Sequence, residues 1–232
     1  MFVFLDSSVV IAALNHRDSF HELCREFLDQ QQIEDVYVTF STKTEVSGAF
    51  QRKVNLIILH ILREVRGRKF DLSDSESKKE FGKAFDKILE DLVRVSEFVY
   101  MVKDSCGSQI VGKGRMSLDF LPEWGLEYGA GIERDILLLI GDKQTSDLPS
   151  IITEEQVRML SRLKAMTSEV ILPKDRDEGI FWELIANRGR FSPSSFYSLD
   201  KRFVKRAKEA TETLVSKGEL TETDFEFVLL RK

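Results

Sequence analysis

The chain opens Met1-Phe-Val-Phe-Leu-Asp-Ser-Ser-Val-Val-Ile-Ala-Ala-Leu14, and these fourteen residues decide the fold. Phe2 to Leu5 form a short apolar run of the kind found in fully buried strands. Asp6 ends the run, Ser7 and Ser8 follow, and Val9 to Leu14 resume the apolar character. An acid between two buried segments is costly unless something pairs with it. Open α/β sheets place their ligand groups outside the carboxyl ends of the strands. No single helix cap requires an acid between two apolar runs, so Asp6 is expected to serve a ligand.

At 232 residues the chain has room for one large domain, or for a smaller one with a big insertion. A hydrophobic fraction of 42% with only 4 prolines predicts a packed core rather than long disorder. The net charge of −5 excludes a bulk basic field for nucleic acid, so phosphate contacts must come from a local patch. Cys24 and Cys106 lie far apart, and His16, His21 and His60 lack ligand spacing. A disulfide framework or zinc site is therefore not expected, and a reducing compartment fits. The N-terminus does not read as a signal peptide, and no run approaches the ~18 apolar residues of a membrane span. The expectation is a cytoplasmic protein without membrane association.

Further along, Ser19 and Glu22 have the spacing of a capping box, opening a helix that runs to Gln30–Gln32. Val36 to Phe40 read as a strand, and Thr42 and Glu45 as a second capping box whose helix runs through Phe50. Val54, Ile57, Ile58, Ile61, Leu62 and Val65 recur at helical spacing. Phe81, Phe85, Ile88, Leu92, Val95, Val99 and Val102 form a heptad seam. Six of the thirteen glycines fall between Ser105 and Gly131, which predicts loops there. Helices are expected over 132–140 and 154–166, the second opened by the box Thr153–Gln156. Val170 to Leu172 read as a strand, 174–186 as a helix and Phe196 to Leu199 as a strand. The basic helix 201–215 stops at Lys217-Gly218, and an edge strand covers Phe225 to Leu230.

Acids recur at equivalent places. Asp6 follows the first strand, Glu45 the second, Asp175 and Asp177 the strand at 170–172, and Asp200 the strand at 196–199. Alternating strands and helices imply a parallel sheet, which gathers these acids at one edge. Converging carboxylates raise one another's pKa, and a hard divalent cation, Mg²⁺ or Mn²⁺, relieves the repulsion through oxygen ligands. Taken singly, Glu45 can complete its capping box, and Asp175 and Asp200 can cap helices. Their joint placement favours a metal site of Asp6, Glu45, Asp177 and Asp200, with Asp175 the alternative to Asp177 and Glu178 behind both.

These motifs resemble those of the PIN domain family of Mg²⁺/Mn²⁺-dependent ribonucleases. Phe4 to Ile11 is similar to the family's opening strand and first acid, Asp6. Glu45 matches its second acid, and the run 174–189 resembles the segment that bears the third. Tyr197-Ser-Leu-Asp-Lys-Arg-Phe203 resembles the fourth, Asp200. Ser7 corresponds to a small hydroxyl residue after the first acid. The resemblance implies a three-layer α/β/α sandwich with a short parallel sheet, and catalysis by the four acids. It also implies RNA as substrate and products with 5′-phosphate and 3′-hydroxyl ends. Two departures stand out. Arg190 to Ser195 lengthens the spacing between the third and fourth acids, and the middle of the chain exceeds that of a minimal PIN domain. The domain reading is a PIN-like core, 1–53 and 167–232, with a mainly helical, partly glycine-rich insertion, 54–166. Those insertion helices are a possible route to a homodimer or a protein partner.

Lys201, Arg202 and Lys205 follow Asp200 and read either as a solvated helix face or as a phosphate track for RNA. Gly107 to Gly114 nearly fits a phosphate-binding loop, but Gly114 stands where a hydroxyl is needed. The alternative to a ribonuclease is a catalytically weak or inactive PIN-like module that binds RNA or protein.

Overall fold

The computed structural model describes residues 2–30, 36–65, 74–77, 79–80, 83, 87, 120–140, 153–168, 176–188, 190–191, 193–221 and 224–231. Strand β1 (Phe2–Leu5) passes directly into helix α1 (Ser7–Leu14), and α2 (His21–Leu28) follows. Strand β2 (Val36–Val38) leads into α3 (Phe40–Val65). Next come α4 (Phe120–Ile140), α5 (Glu154–Met166) and α6 (Arg176–Ala186). Strand β3 (Ser194–Ser198), helix α7 (Lys201–Ser216) and strand β4 (Phe225–Leu229) complete the order. Among the described residues the strands form one parallel sheet in the order β2-β1-β3-β4.

The chain divides into two compact units, Met1–Val46 with Ile136–Lys232, and Ser47–Asp135. The sheet belongs to the first. Its register aligns Tyr37, Phe4, Phe196 and Phe227 in one row across all four strands. That row shares a core with Phe181 and Trp182 of α6, Phe203 and Ala207 of α7, and Leu160 and Leu163 of α5. Most of these rings meet tilted or edge-on, with Phe4–Phe191 at 5.5 Å and Phe196–Phe227 at 5.7 Å, while Phe181 stacks on Phe227 at 5.8 Å. Side chains of opposite parity face the other way, and Tyr197 meets Phe27 of α2 at 4.4 Å. Helices therefore cover both faces of the sheet, which fits a three-layer sandwich.

In the second unit Val54 and Ile57 of α3 are buried. Gly125 of α4 lies where an added Cβ would come 3.1 Å from Ile58, so the missing side chain lets the two helices close.

Several expectations change. The second strand stops at Val38 rather than Phe40, because the Thr39 hydroxyl oxygen accepts the Thr42 N–H at 3.0 Å and starts α3. Phe40 is 53% exposed. Helix α3 then runs unbroken to Val65 instead of ending at Phe50, so Glu45 sits in its second turn. Helix α2 starts after Phe20 without a side-chain cap, so the Ser19–Glu22 box does not form; Asp18 accepts the Phe20 N–H at 2.8 Å in the turn before it. The glycines of 120–131 lie in α4, not in loops. Helix α5 packs with α6 and α7 through Leu160 and Leu163, so the segment expected as an insertion, 54–166, is not one body. Strand β3 begins at Ser194, two residues before the predicted start. The Thr153–Gln156 capping box forms as read. Gly218 closes α7 at φ +73, a conformation that glycine adopts without strain. The strand at 170–172, Asp175, the heptad-seam positions from Phe81 to Val102 and the loop at 107–114 lie outside the described residues.

Two substitutions test this boundary of β2. In urea unfolding, Phe196→Ala should cost about 3–5 kcal/mol, whereas Phe40→Ser should stay within about 0.5 kcal/mol. A loss at Phe40 comparable to that at Phe196 would return it to a buried strand.

Candidate functional site

Asp6 stands one residue past β1, level with Ser198 at the end of β3. The register that pairs Leu5 with Tyr197 continues through a bond from the Asp6 N–H to the Tyr197 carbonyl at 2.9 Å. Asp6 is only 5% exposed. Its Oδ1 accepts the Ser7 N–H at 2.8 Å, which makes it the N-cap of α1. Its Oδ2 accepts the hydroxyls of Ser8 and Ser198, both at 2.6 Å. Those hydroxyl oxygens accept, in turn, the backbone N–H groups of Leu199 at 3.1 Å and Asp200 at 2.9 Å. The expectation that no cap needs Asp6 is thus corrected. It caps α1 and also ties that helix to the turn between β3 and α7.

Burial pushes the Asp6 carboxyl above its ordinary range. The bonds from Ser198, Ser8 and Ser7 pull it back, and the charge of Glu45 raises it further. Among the described residues no cation offsets that charge. Glu45 is half-buried, and its Oε2 accepts the Ser7 hydroxyl at 2.9 Å. Ser7, read as a substrate contact, is buried and directs its hydroxyl to Glu45.

Asp177 sits in the first turn of α6, half-buried. Burial, and then the charges of Asp6, Glu45 and Asp200, push it up to about 6. Asp177 therefore feels the charge of acids from three other segments of the chain. Glu178 is engaged elsewhere, paired with Lys164 at 3.1 Å and accepting the Trp182 indole N–H at 3.2 Å. Of the two, Asp177 is the one coupled to the other acids. Asp200 is exposed and caps α7, its Oδ1 accepting the N–H groups of Arg202 at 2.6 Å and Phe203 at 3.1 Å. Lys201, Arg202 and Lys205 are exposed on the first turns of the same helix, and Lys205 pairs with Glu209 at 3.8 Å.

Four carboxylates are a donor set suited to a hard divalent cation. Among the described residues, however, no group of three or more lies close enough to hold an ion as it stands. Asp6 and Asp200 are fixed by their capping bonds.

Sequence reading missed the groups that set these acids in place. Ser8 and Ser198 hold Asp6, and the D-S-S run together with Ser198 two residues before Asp200 carried that signal. Glu183 accepts the Ser41 N–H at 3.0 Å and its hydroxyl at 2.7 Å, and so locks α6 onto the start of α3. Gly179 permits the approach, since an added Cβ would meet the Ser41 hydroxyl at 3.1 Å. No local pattern links residues so distant in sequence.

Compared with family descriptions, characterised proteins and solved structures, the chain matches none.

The crowding has a consequence for stability. A carboxyl raised from 3.8 to about 6 on folding favours the folded state while protonated, below pH 3.8. That contribution is lost as pH rises through 6. Without divalent ions, Asp177→Asn should therefore stabilise the protein at pH 7.5 by about 1 kcal/mol, a figure reduced for the group's partial exposure. The gain should vanish near pH 4. A variant less stable than the parent at pH 7.5 would show that these acids do not crowd one another.

Proposed function

We propose that this chain is a divalent-metal-dependent ribonuclease of PIN-like fold that hydrolyses RNA phosphodiester bonds. Asp6, Glu45, Asp177 and Asp200 would hold Mg²⁺ or Mn²⁺. The observation that supports this reading is the convergence of the charges of Asp6, Glu45 and Asp200 on Asp177. Asp177 feels the other three, and no cation among the described residues offsets Asp6. Structural acids are normally paired or solvated, and crowding of this kind marks functional sites.

Each residue then has a task. Asp6, pinned by three donors, fixes the position of the site. Ser7 holds Glu45 beside it. Asp177, in the first turn of α6, would complete the donor set. Asp200 closes the site while capping α7, and Lys201 and Arg202 in the next turn offer cationic groups to RNA phosphates. A divalent ion bound there would supply Lewis-acid stabilisation of the charge that develops at a phosphodiester.

A second reading has its own support. Oxygens of Asp6 and Asp200 are engaged in capping bonds, and no three donors of the described residues converge at ligand distance. That arrangement favours a PIN-like module with weak or no turnover that binds RNA or protein.

Mn²⁺ titration followed by RNA cleavage separates the two. The nuclease reading expects Mn²⁺ to raise the melting temperature and to support cleavage that EDTA stops. Asp6→Asn should lower cleavage by about 10²-fold or more while the variant stays folded. RNA binding indifferent to EDTA, with no cleavage by the parent protein, would favour the binding module.

A further inference from the structure

The groove between α5 and the carboxyl end of α6 has no part in the acid site. It encloses about 650 Å³ and brings together Arg158 and Arg162 of α5 with Arg188 just past α6. Met159 and Ala186 contribute apolar surface, Gln156 also lines the groove, and Glu155 is its acidic member. Gln156 fixes the two helices by donating from Nε2 to the Ala186 carbonyl at 3.1 Å. Among the described lining residues three guanidinium groups meet one carboxylate, Glu155; Arg158 and Arg162 also pair with Glu154 and Glu219 beside the groove, and Arg188 has no such ion pair among the described residues.

The arginines differ in how firmly they are held. Arg162 is anchored on Glu219 at 2.6 Å, and Arg188 donates to the Ile185 carbonyl at 3.1 Å and contacts the Met159 sulfur at 3.0 Å. Arg158 pairs with Glu154 at 3.3 Å, but its side chain is 81% exposed and its partner's 92%. An exposed pair of that kind contributes little, so Arg158 can turn to a new anion at small cost.

We infer that this groove binds a nucleotide unit, with its phosphate on Arg158, Arg162 and Arg188 and its base over Met159 and Ala186. The planar, multidentate guanidinium matches phosphate oxygens. A polarisable thioether suits an aromatic ring, and the volume falls in the range of small-molecule sites. A bare anion would have no use for the apolar floor, and an apolar ligand none for the arginines.

The groove is separate from the acids. Asp6 and Asp200 follow the carboxyl ends of β1 and β3, whereas Arg188 precedes the amino end of β3. Asp177 and Ala186 mark the two ends of α6, a helix of that length spanning ~16 Å. Occupancy here therefore does not depend on the ribonuclease reading.

The test uses the full chain in EDTA, with and without Asp6→Asn, and three probes: adenosine 5′-monophosphate, a labelled RNA hexanucleotide and inorganic phosphate. Nucleotide and RNA should bind, both weakening with salt. Arg158→Glu should lower affinity about tenfold and Arg158→Glu with Arg188→Gln further, at unchanged melting temperature. Asp6→Asn should leave binding intact. Equal affinity for mononucleotide and hexanucleotide would identify a free nucleotide as the source, and tighter hexanucleotide binding an RNA strand. The inference is overturned if neither nucleotide probe binds, if phosphate binds as well as the nucleotide, or if Arg158→Glu is without effect. Loss of binding in Asp6→Asn would move the ligand to the acid site.

Discussion

One carboxylate governs the carboxyl edge of the sheet. Asp6 is almost fully buried, lacks a cationic partner among the described residues, and is held by a backbone N–H and two serine hydroxyls. Burying an ion costs several kcal/mol before compensation. Hydrogen bonds to the ionised form recover part of that, yet burial still outweighs them in setting the proton affinity. A residue of equal size and no charge would fill the space more cheaply. Because both hydroxyls also accept backbone N–H groups of 199 and 200, the same carboxylate sets where α7 begins and hence where Asp200 stands.

The rest of the unit reads as a frame around this edge. The aromatic row Tyr37, Phe4, Phe196, Phe227 locks the four strands in register. The next row on the same face places Ser198 beside Asp6. A slip of one residue would turn both away. Glu183 and Gly179 fix α6 against the start of α3, which brings Asp177 under the influence of the Glu45 charge.

Much of this was legible in the chain and some was not, for physical reasons. The run Phe2 to Leu5 with its terminal acid specified β1, the turn and α1, because a buried strand and a helix start both have strong local signatures. Gln156 and Gly218 announced their helix ends in the same way. Phe40 misled, since an apolar residue after a β-branched run looks like strand, while the Thr39 hydroxyl had already captured the backbone for a helix. The glycines at 125 and 129 misled in the opposite sense. Their composition suggested loops, whereas Gly125 marks a close helix contact that only a partner helix could reveal. The four acids were found because each follows a strand or opens a helix. Of their supports, Ser8 is local to Asp6, whereas Ser198 and Glu183 reach Asp6 and Ser41 across 192 and 142 residues, pairings that no local spacing encodes.

Capping and ligation are not exclusive roles for these acids. An ionised carboxylate offers about four lone-pair directions. Asp200 satisfies two backbone N–H groups with Oδ1, and Asp6 divides its short bonds between Oδ1 and Oδ2. The reading as a cap holds for Asp200 and applies to Asp6 as well, whereas Glu45 lies in the second turn of α3, beyond its cap position. The cap fixes the carboxylate where the strand ends, and fixing is what a ligand site requires of its anchors. Glu45 accepts the Ser7 hydroxyl at 2.9 Å beside the Asp6 anchor, and Asp177 stands half-buried in the first turn of α6.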